Sequence, residues 1–266
     1  MSEARADDEP GQLATGELVL HGRIMPASNA TFIGEIDTSG VDPVRVVYKP
    51  VAGERPLWDF PDGTLARREV AAYVVSEALG WRIVPHTFLR DGPHGEGMVQ
   101  VWREPDEDVV AVDVVPGGTL PPGWRHVFDG IDGHDRPVSL VHEDSPALRR
   151  MAVFDVLVNN ADRKGGHVLA MRDGHRFGVD HGVTFHSDPK LRTVLWGWLD
   201  HPLTEEELTA VEQLRRALGT GLGERLAELL AEEEIEAFER RCTRLLGTRV
   251  MPAPMGDWPA VPWPPF

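Results

Sequence analysis

Short β-prone runs open the folded part of the chain. Leu18-Val19-Leu20, Thr31-Phe32-Ile33-Gly34-Glu35-Ile36 and Val44-Arg45-Val46-Val47-Tyr48-Lys49 are rich in β-branched and aromatic residues, and the turn-prone Pro26-Ala27-Ser28-Asn29-Ala30 separates the first two. They predict an antiparallel sheet entered by a hairpin. Between 65 and 79, Ala, Val, Glu and Arg recur at helical spacing until Gly80, a residue type that often ends helices, so this stretch reads as a helix carrying Glu69. Runs at 83–90 and 97–102 predict two more strands, joined by the Gly-rich turn at 91–96.

Residues 103–142 are rich in Pro, Gly, Asp and His with only short apolar runs, and read as a linker and irregular insertion. Ser145-Pro146 then opens an amphipathic helix through Leu148, Met151, Ala152, Phe154, Leu157 and Val158 that ends before Asp162. From 204 to 246 the pattern is helical again. Thr204 and Glu207 form a capping box there, and 219–223 divides the stretch into two helices. The tail, 251–266, holds Trp258, Trp263 and six prolines, and is expected to be extended and docked on the surface. The resulting division is a disordered tail at 1–16, a β-rich lobe at 17–102, a mainly helical lobe at 103–250 and the Pro/Trp-rich tail at 251–266.

Charge narrows the choice of partner. The 266 residues are 41% hydrophobic, enough for a sizeable core, and carry a net charge of -16. Nucleic-acid binders rely on clustered Lys and Arg, and anionic membranes attract basic segments, so neither is an expected partner. The single cysteine, Cys242, cannot form an intrachain disulfide, and no segment resembles an export signal or a roughly 20-residue membrane span. A cytoplasmic location is the expectation.

The chemistry is concentrated in two segments. Asn159-Asn160-Ala161-Asp162-Arg163-Lys164-Gly165-Gly166-His167 is followed, after a hairpin-like stretch, by Val179-Asp180-His181-Gly182. Phosphoryl transfer asks little covalent chemistry of a protein: one Asp positions a hydroxyl, a second Asp with a polar neighbour holds Mg²⁺, and a Lys neutralises phosphate charge. Lys49, Glu69, Asp162 and Asp180 occur in the order this chemistry uses.

In that order and in those two loops the chain resembles phosphatidylinositol 3- and 4-kinases and the wider kinase-like superfamily, including HipA-type serine kinases. As a whole it is most similar to an actinobacterial family, from high-GC bacteria, that is itself distantly similar to the lipid kinases. The resemblance covers about residues 17–200 and implies an α+β, bilobal, protein-kinase-like (PI3/4-kinase-like) fold closing over ATP and Mg²⁺ or Mn²⁺. It implies Asp162, Arg163 and Lys49 as catalytic residues, with Glu69 holding the lysine. Asp180 and His167 would bind metal. Ser28, Asn29 and Thr31 would cover the phosphates, and Gln100, Val101 and Trp102 fall at the hinge that meets adenine.

The loop departs from its relatives at His167, which stands where they have a metal-binding Asn; imidazole suits Mn²⁺ and other transition ions better than an amide does. The acceptor implied is a small-molecule or protein hydroxyl. The same residues also accommodate a catalytically inactive nucleotide-binding pseudokinase, or transfer of AMP in place of phosphate. A protein partner for the 251–266 tail is a further expectation. Individually these residues have plainer readings: Lys49 as a strand-end surface charge, Glu69 as a helix-surface partner of Arg67 or Arg68, and Asp180 as a turn cap. Asp155 reads as structural, and Trp196 and Trp198 as packing. His167, His181 and His186 lack the spacing of a zinc site.

Overall fold

A computed structural model describes residues 10–25, 29–38, 42–55, 57–60, 64–255 and 258–266. A short helix α1 (Pro10–Thr15) stands where the sequence predicts a disordered tail, because Leu13 is fully buried against the first sheet. Strands β1 (Leu18–Arg23), β2 (Phe32–Ile36) and β3 (Val44–Pro50) form the predicted meander. Helix α2 (Leu65–Ala78) follows, then the hairpin β4 (Thr87–Gly92) and β5 (Gly95–Val101). Among the described residues these strands make one antiparallel sheet in the order β1-β2-β3-β5-β4.

Side chains alternate across a strand, and β3 uses that alternation to place the site. Val46 and Tyr48 are fully buried with Leu13, Ile36, Val99 and Val101 on one face, so Arg45, Val47 and Lys49 lie on the other. Gly97 lets β5 approach closely here: a Cβ at that position would come within 2.6 Å of the Lys49 carbonyl oxygen.

The predicted strand at 83–90 forms only from Thr87 onward. Ile83 and Val84 join the helical core, and the Val84 N–H is taken by Ser76 Oγ of α2 at 3.1 Å, which leaves no ladder bond for it to make.

The 103–142 insertion is not irregular. It contains β6 (Val112–Pro116), β7 (Trp124–Ile131) and β8 (Pro137–Glu143), an antiparallel sheet in the order β6-β8-β7. Gly118 and Gly123, which break up the sequence pattern, lie in the connection between β6 and β7 at φ +76° and +77°, while Leu140 and Val141 pack inward.

Helix α3 (Pro146–Val158) follows, capped as expected by Ser145, whose side chain accepts from the Leu148 N–H. The short hairpin β9 (Val168–Ala170) and β10 (Arg176–Gly178) separates the two motif loops. Beyond them, α4 (Glu205–Leu218) begins at the predicted Thr204–Glu207 capping box. Where two helices are predicted the described residues hold three, adding α5 (Gly221–Ala227) before α6 (Glu232–Thr248). A second break falls where Ala231 becomes extended and its N–H is capped by Glu234. One core unites α2, α3 and α4–α6. No helix among the described residues is long and apolar enough to cross a membrane.

Candidate active site

Four sequence-predicted residues from four separate elements form one constellation. Lys49 of β3 places Nζ 2.7 Å from Glu69 Oε1 of α2 and 2.8 Å from Asp180 Oδ1, just after β10. The Glu69 side chain is almost fully buried, and its second oxygen accepts the His181 backbone N–H at 2.8 Å, so one carboxylate holds both the lysine and the Asp180 loop. Asp180 lies at φ +61°, a left-handed conformation that Asp tolerates better than most residues.

The second loop reaches the same place through His167. Its Nδ1 is 3.0 Å from the Asp162 carbonyl oxygen. A carbonyl only accepts, so Nδ1 carries the hydrogen and Nε2 keeps its lone pair, 3.5 Å from Asp180 Oδ2. The Asp162 carboxylate has Lys164 Nζ at 3.6 Å, and its own N–H is fixed by Asn160 Oδ1 at 3.0 Å.

These groups shift one another's proton affinities. Burial alone would lower the Lys49 pKa, but the Asp180 and Glu69 carboxylates outweigh it and hold the ammonium form firmly. Asp180 is held well below the usual carboxylate range by Lys49, whereas burial pushes Glu69 and Asp162 upward. Burial also lowers His167, against the pull of Asp180. The site thus pairs a carboxylate of raised proton affinity, Asp162, with one of lowered affinity, Asp180, an arrangement in which one could take up a proton while the other stays anionic.

Among the described residues no group of three or more His, Cys, Asp or Glu side chains closes into a metal cage. The available donors are the Asp180 carboxylate and the His167 Nε2 beside it. Such a set suits a divalent ion that completes its shell with water and phosphate oxygens.

Arg163, expected among the catalytic residues, is instead wholly enclosed. Its guanidinium makes a paired contact with the equally buried Asp155 of α3, with Nε to Oδ2 and Nη2 to Oδ1 both at 2.9 Å. The remaining donors reach the carbonyls of His167 and Val179 and the ring nitrogen Nε2 of His181. Arg163 therefore ties the Asp162 loop to the Asp180 loop and has no surface left for a ligand. Asp155 is structural, as its sequence position suggests, and the depth of its burial has a legible source. It lies four residues after Met151 and three before Val158, within the stripe α3 buries, where a lone carboxylate requires a cationic partner.

The predicted phosphate-covering turn is partly occupied with itself. Asn29 Oδ1 accepts from the Arg55 N–H at 2.9 Å, Ala30 N–H donates to the Gly53 carbonyl at 3.1 Å, and Thr31 is buried with its hydroxyl toward the Asn29 carbonyl. Ser28 lies outside the described residues. At the predicted hinge, the Gln100 amide donates to Thr87 Oγ1, and the N–H groups of Val101 and Trp102 are taken by the carbonyls of His86 and Arg45. These three residues lock β5 into its surroundings.

Sequence reading also missed where the C-terminal tail goes. Ala260 accepts from the Thr193 N–H and from the Trp196 indole, and the Pro265 carbonyl accepts from the Gly165 N–H at 2.8 Å. The Phe266 ring lies where a Gly165 Cβ would be, so the bare glycine of the Asp162 loop is the seat of this ring.

The chain belongs to the same family as protein Rv2133c of Mycobacterium tuberculosis, to which it is 53% identical over 269 residues, covering 98% of this chain and 96% of the relative. That organism is an actinobacterium, in keeping with the resemblance noted in the sequence. No family model matches the chain. A solved structure of the Helicobacter pylori proinflammatory kinase CtkA is distantly similar, with a TM-score of 0.44 and 11% identity over 90% of this chain and 94% of that one.

Proposed function

We propose that this protein is an ATP- and divalent-metal-dependent phosphotransferase acting on a hydroxyl acceptor. The observation that carries the reading is Lys49 Nζ, bridged between Glu69 at 2.7 Å and Asp180 at 2.8 Å. Residues 131 positions apart in the sequence meet there, and that convergence supports the reading.

In this reading Lys49 binds nucleotide phosphate oxygens and Glu69 keeps its ammonium oriented. Asp180 and His167 would hold the divalent ion, which when bound supplies neutralisation of phosphate charge. Asp162, with its raised proton affinity, accepts the acceptor's hydroxyl proton. The hydroxyl oxygen forms a bond to the γ-phosphorus as the bond to the bridging oxygen breaks, and ADP leaves with that electron pair. Arg163 and Asp155 contribute by holding the two loops in register.

The test is mass spectrometry of the reaction with a library of hydroxyl compounds and with the protein itself as acceptor. Phosphate addition that Asp162→Asn removes, with nucleotide affinity retained, supports phosphotransfer. Addition of AMP would replace it with nucleotidyl transfer. Nucleotide binding with no product from any acceptor would favour the pseudokinase reading.

A further inference from the structure

The two donors that face the proposed ion are each fixed from behind. The His167 carbonyl accepts from the Val179 N–H at 3.0 Å and from Arg163 Nη1 at 3.2 Å, which anchors the residue, and the ring's Nδ1 donates to the Asp162 carbonyl, which orients it. Asp180 divides its carboxylate: Oδ1 accepts from Lys49 Nζ at 2.8 Å, while Oδ2 lies 3.5 Å from His167 Nε2. The His167 side chain is 18% exposed and that of Asp180 53%, so both can be reached from solvent.

Among the described residues no other hydrogen-bond donor reaches Nε2 or Oδ2. With Nδ1 as the donor, Nε2 presents a lone pair to a carboxylate oxygen, and two acceptors at this separation repel unless a cation lies between them. The spacing also bears on which cation. Ligands about 2.1 Å from one ion are roughly 3.0 Å apart at a right angle and roughly 3.4 Å apart at the tetrahedral angle. Mg²⁺ demands near-right angles and oxygen ligands, and drawing this pair together to suit it would strain the bonds to the Asp162 carbonyl and to Lys49. Divalent transition ions take imidazole nitrogen readily, and some, Zn²⁺ among them, adopt the wider angle outright.

From this facing pair we infer that His167 is a direct nitrogen ligand that makes the nucleotide site select a divalent first-row transition ion over Mg²⁺. The inference rests on the phosphotransferase reading for the nucleotide and adds which class of ion that reading uses. Because Lys49 holds only Oδ1 of Asp180, an ion between Oδ2 and Nε2 leaves the lysine contact in place. Water and phosphate oxygens complete the shell.

The experiment is electron paramagnetic resonance of the full chain with Mn²⁺ and ADP, Mn²⁺ being the weakest binder of the first-row series and so the stringent probe. Bound Mn²⁺ should show a directly coordinated nitrogen whose coupling changes when the histidines are labelled with ¹⁵N, which separates it from the nucleotide's own nitrogens. Displacement by Mg²⁺ gives the ion preference. His167→Asn should lose the nitrogen coupling and reduce the preference for Mn²⁺ by about tenfold or more, since even an outer-shell change at a metal site typically costs roughly 10–100-fold in affinity. That variant also alters the bond to the Asp162 carbonyl, so the isotope measurement on the wild type stands independently of it. Bound Mn²⁺ and ADP with no label-dependent coupling, or a preference for Mn²⁺ no greater than that of His167→Asn, would overturn the inference and leave the phosphotransferase reading intact. Failure of the wild type to bind Mn²⁺ with ADP would overturn both.

Discussion

Arg163 and Asp155 form an ion pair with both side chains fully enclosed, linking the loop after α3 to the interior of α3 itself. The pair lies beneath the site, and its position makes it a fold determinant: the same guanidinium holds the carbonyls of His167 and Val179, one residue from Asp180. Removing one member of a buried pair strands the other charge, at a typical cost of about 3–5 kcal/mol. Asp155→Ala should therefore lower the unfolding free energy by about that amount in urea titrations. A loss under about 1 kcal/mol would mean that water reaches Arg163 readily.

Lys49 and Glu69 should separate by what each loses. Lys49→Met removes the positive charge between two carboxylates and should cut turnover by roughly 10²–10³, the scale for one lost electrostatic contact to a developing charge. Glu69→Gln keeps the charge on Lys49 but loosens its orientation, so a smaller loss is expected. Equal turnover in wild type and Lys49→Met, measured at saturating ATP, would remove the lysine from the mechanism.

A pH effect on stability follows from His142, away from the site. Its Nε2 accepts the Gly197 N–H at 3.0 Å and its Nδ1 donates to the Glu143 carbonyl at 2.8 Å, so the buried ring is neutral with both nitrogens used. Burial holds its pKa down at about 4, below the ordinary 6.5. The folded-state value is the lower one, so the unfolded chain takes up a proton that the folded chain refuses as pH falls from 6.5 to 4. Stability is then lost across that window, by about 3 kcal/mol from this group alone. Urea melts at pH 7 and pH 4.5 should differ more for the wild type than for His142→Gln. Parallel pH profiles would show that other groups dominate.

Much of this site was legible because its parts lie on strongly patterned elements. The alternation of Val46, Tyr48 and their neighbours fixes the face on which Lys49 emerges, and the uninterrupted helical spacing around Glu69 fixes its helix. What remained hidden depends on pairing between distant segments. Strands β6 and β7 are mostly exposed or half-exposed, and the buried stretch of β8 mixes Ser139 and His142 with Leu140 and Val141, so no local run of theirs is apolar enough to stand out. Arg163 was misplaced because an Asp-Arg dipeptide looks the same whether its guanidinium faces a cleft or a buried Asp155. The resting place of Phe266 on Gly165 is likewise a contact across 101 residues that neither segment announces.

That contact has a measurable signature. The Gly165 amide donates to the Pro265 carbonyl, and the Phe266 ring shields it. Phe266→Ala should speed hydrogen exchange at Gly165 by about tenfold or more while leaving global stability nearly unchanged, since local openings are independent of the core. Gly165→Ala should give the same exposure from the other side, by displacing the ring. Unchanged exchange at residues 164–166 in Phe266→Ala would show that the tail does not protect the loop in solution.

The central claim is that Lys49, Glu69 and Asp180 converge to receive a metal-bound nucleotide, and the most direct measurement is a thermal-shift titration of ATP with Mg²⁺ or Mn²⁺ on the wild type and on Asp180→Ala. A ligand that binds only the folded state raises its apparent stability by RT ln(1 + [L]/Kd). The wild type should show a saturating, metal-dependent rise in Tm that Asp180→Ala lacks. If millimolar ATP raises neither Tm with either metal, or raises both equally, Asp180 is not a nucleotide–metal ligand and the phosphotransferase reading is contradicted.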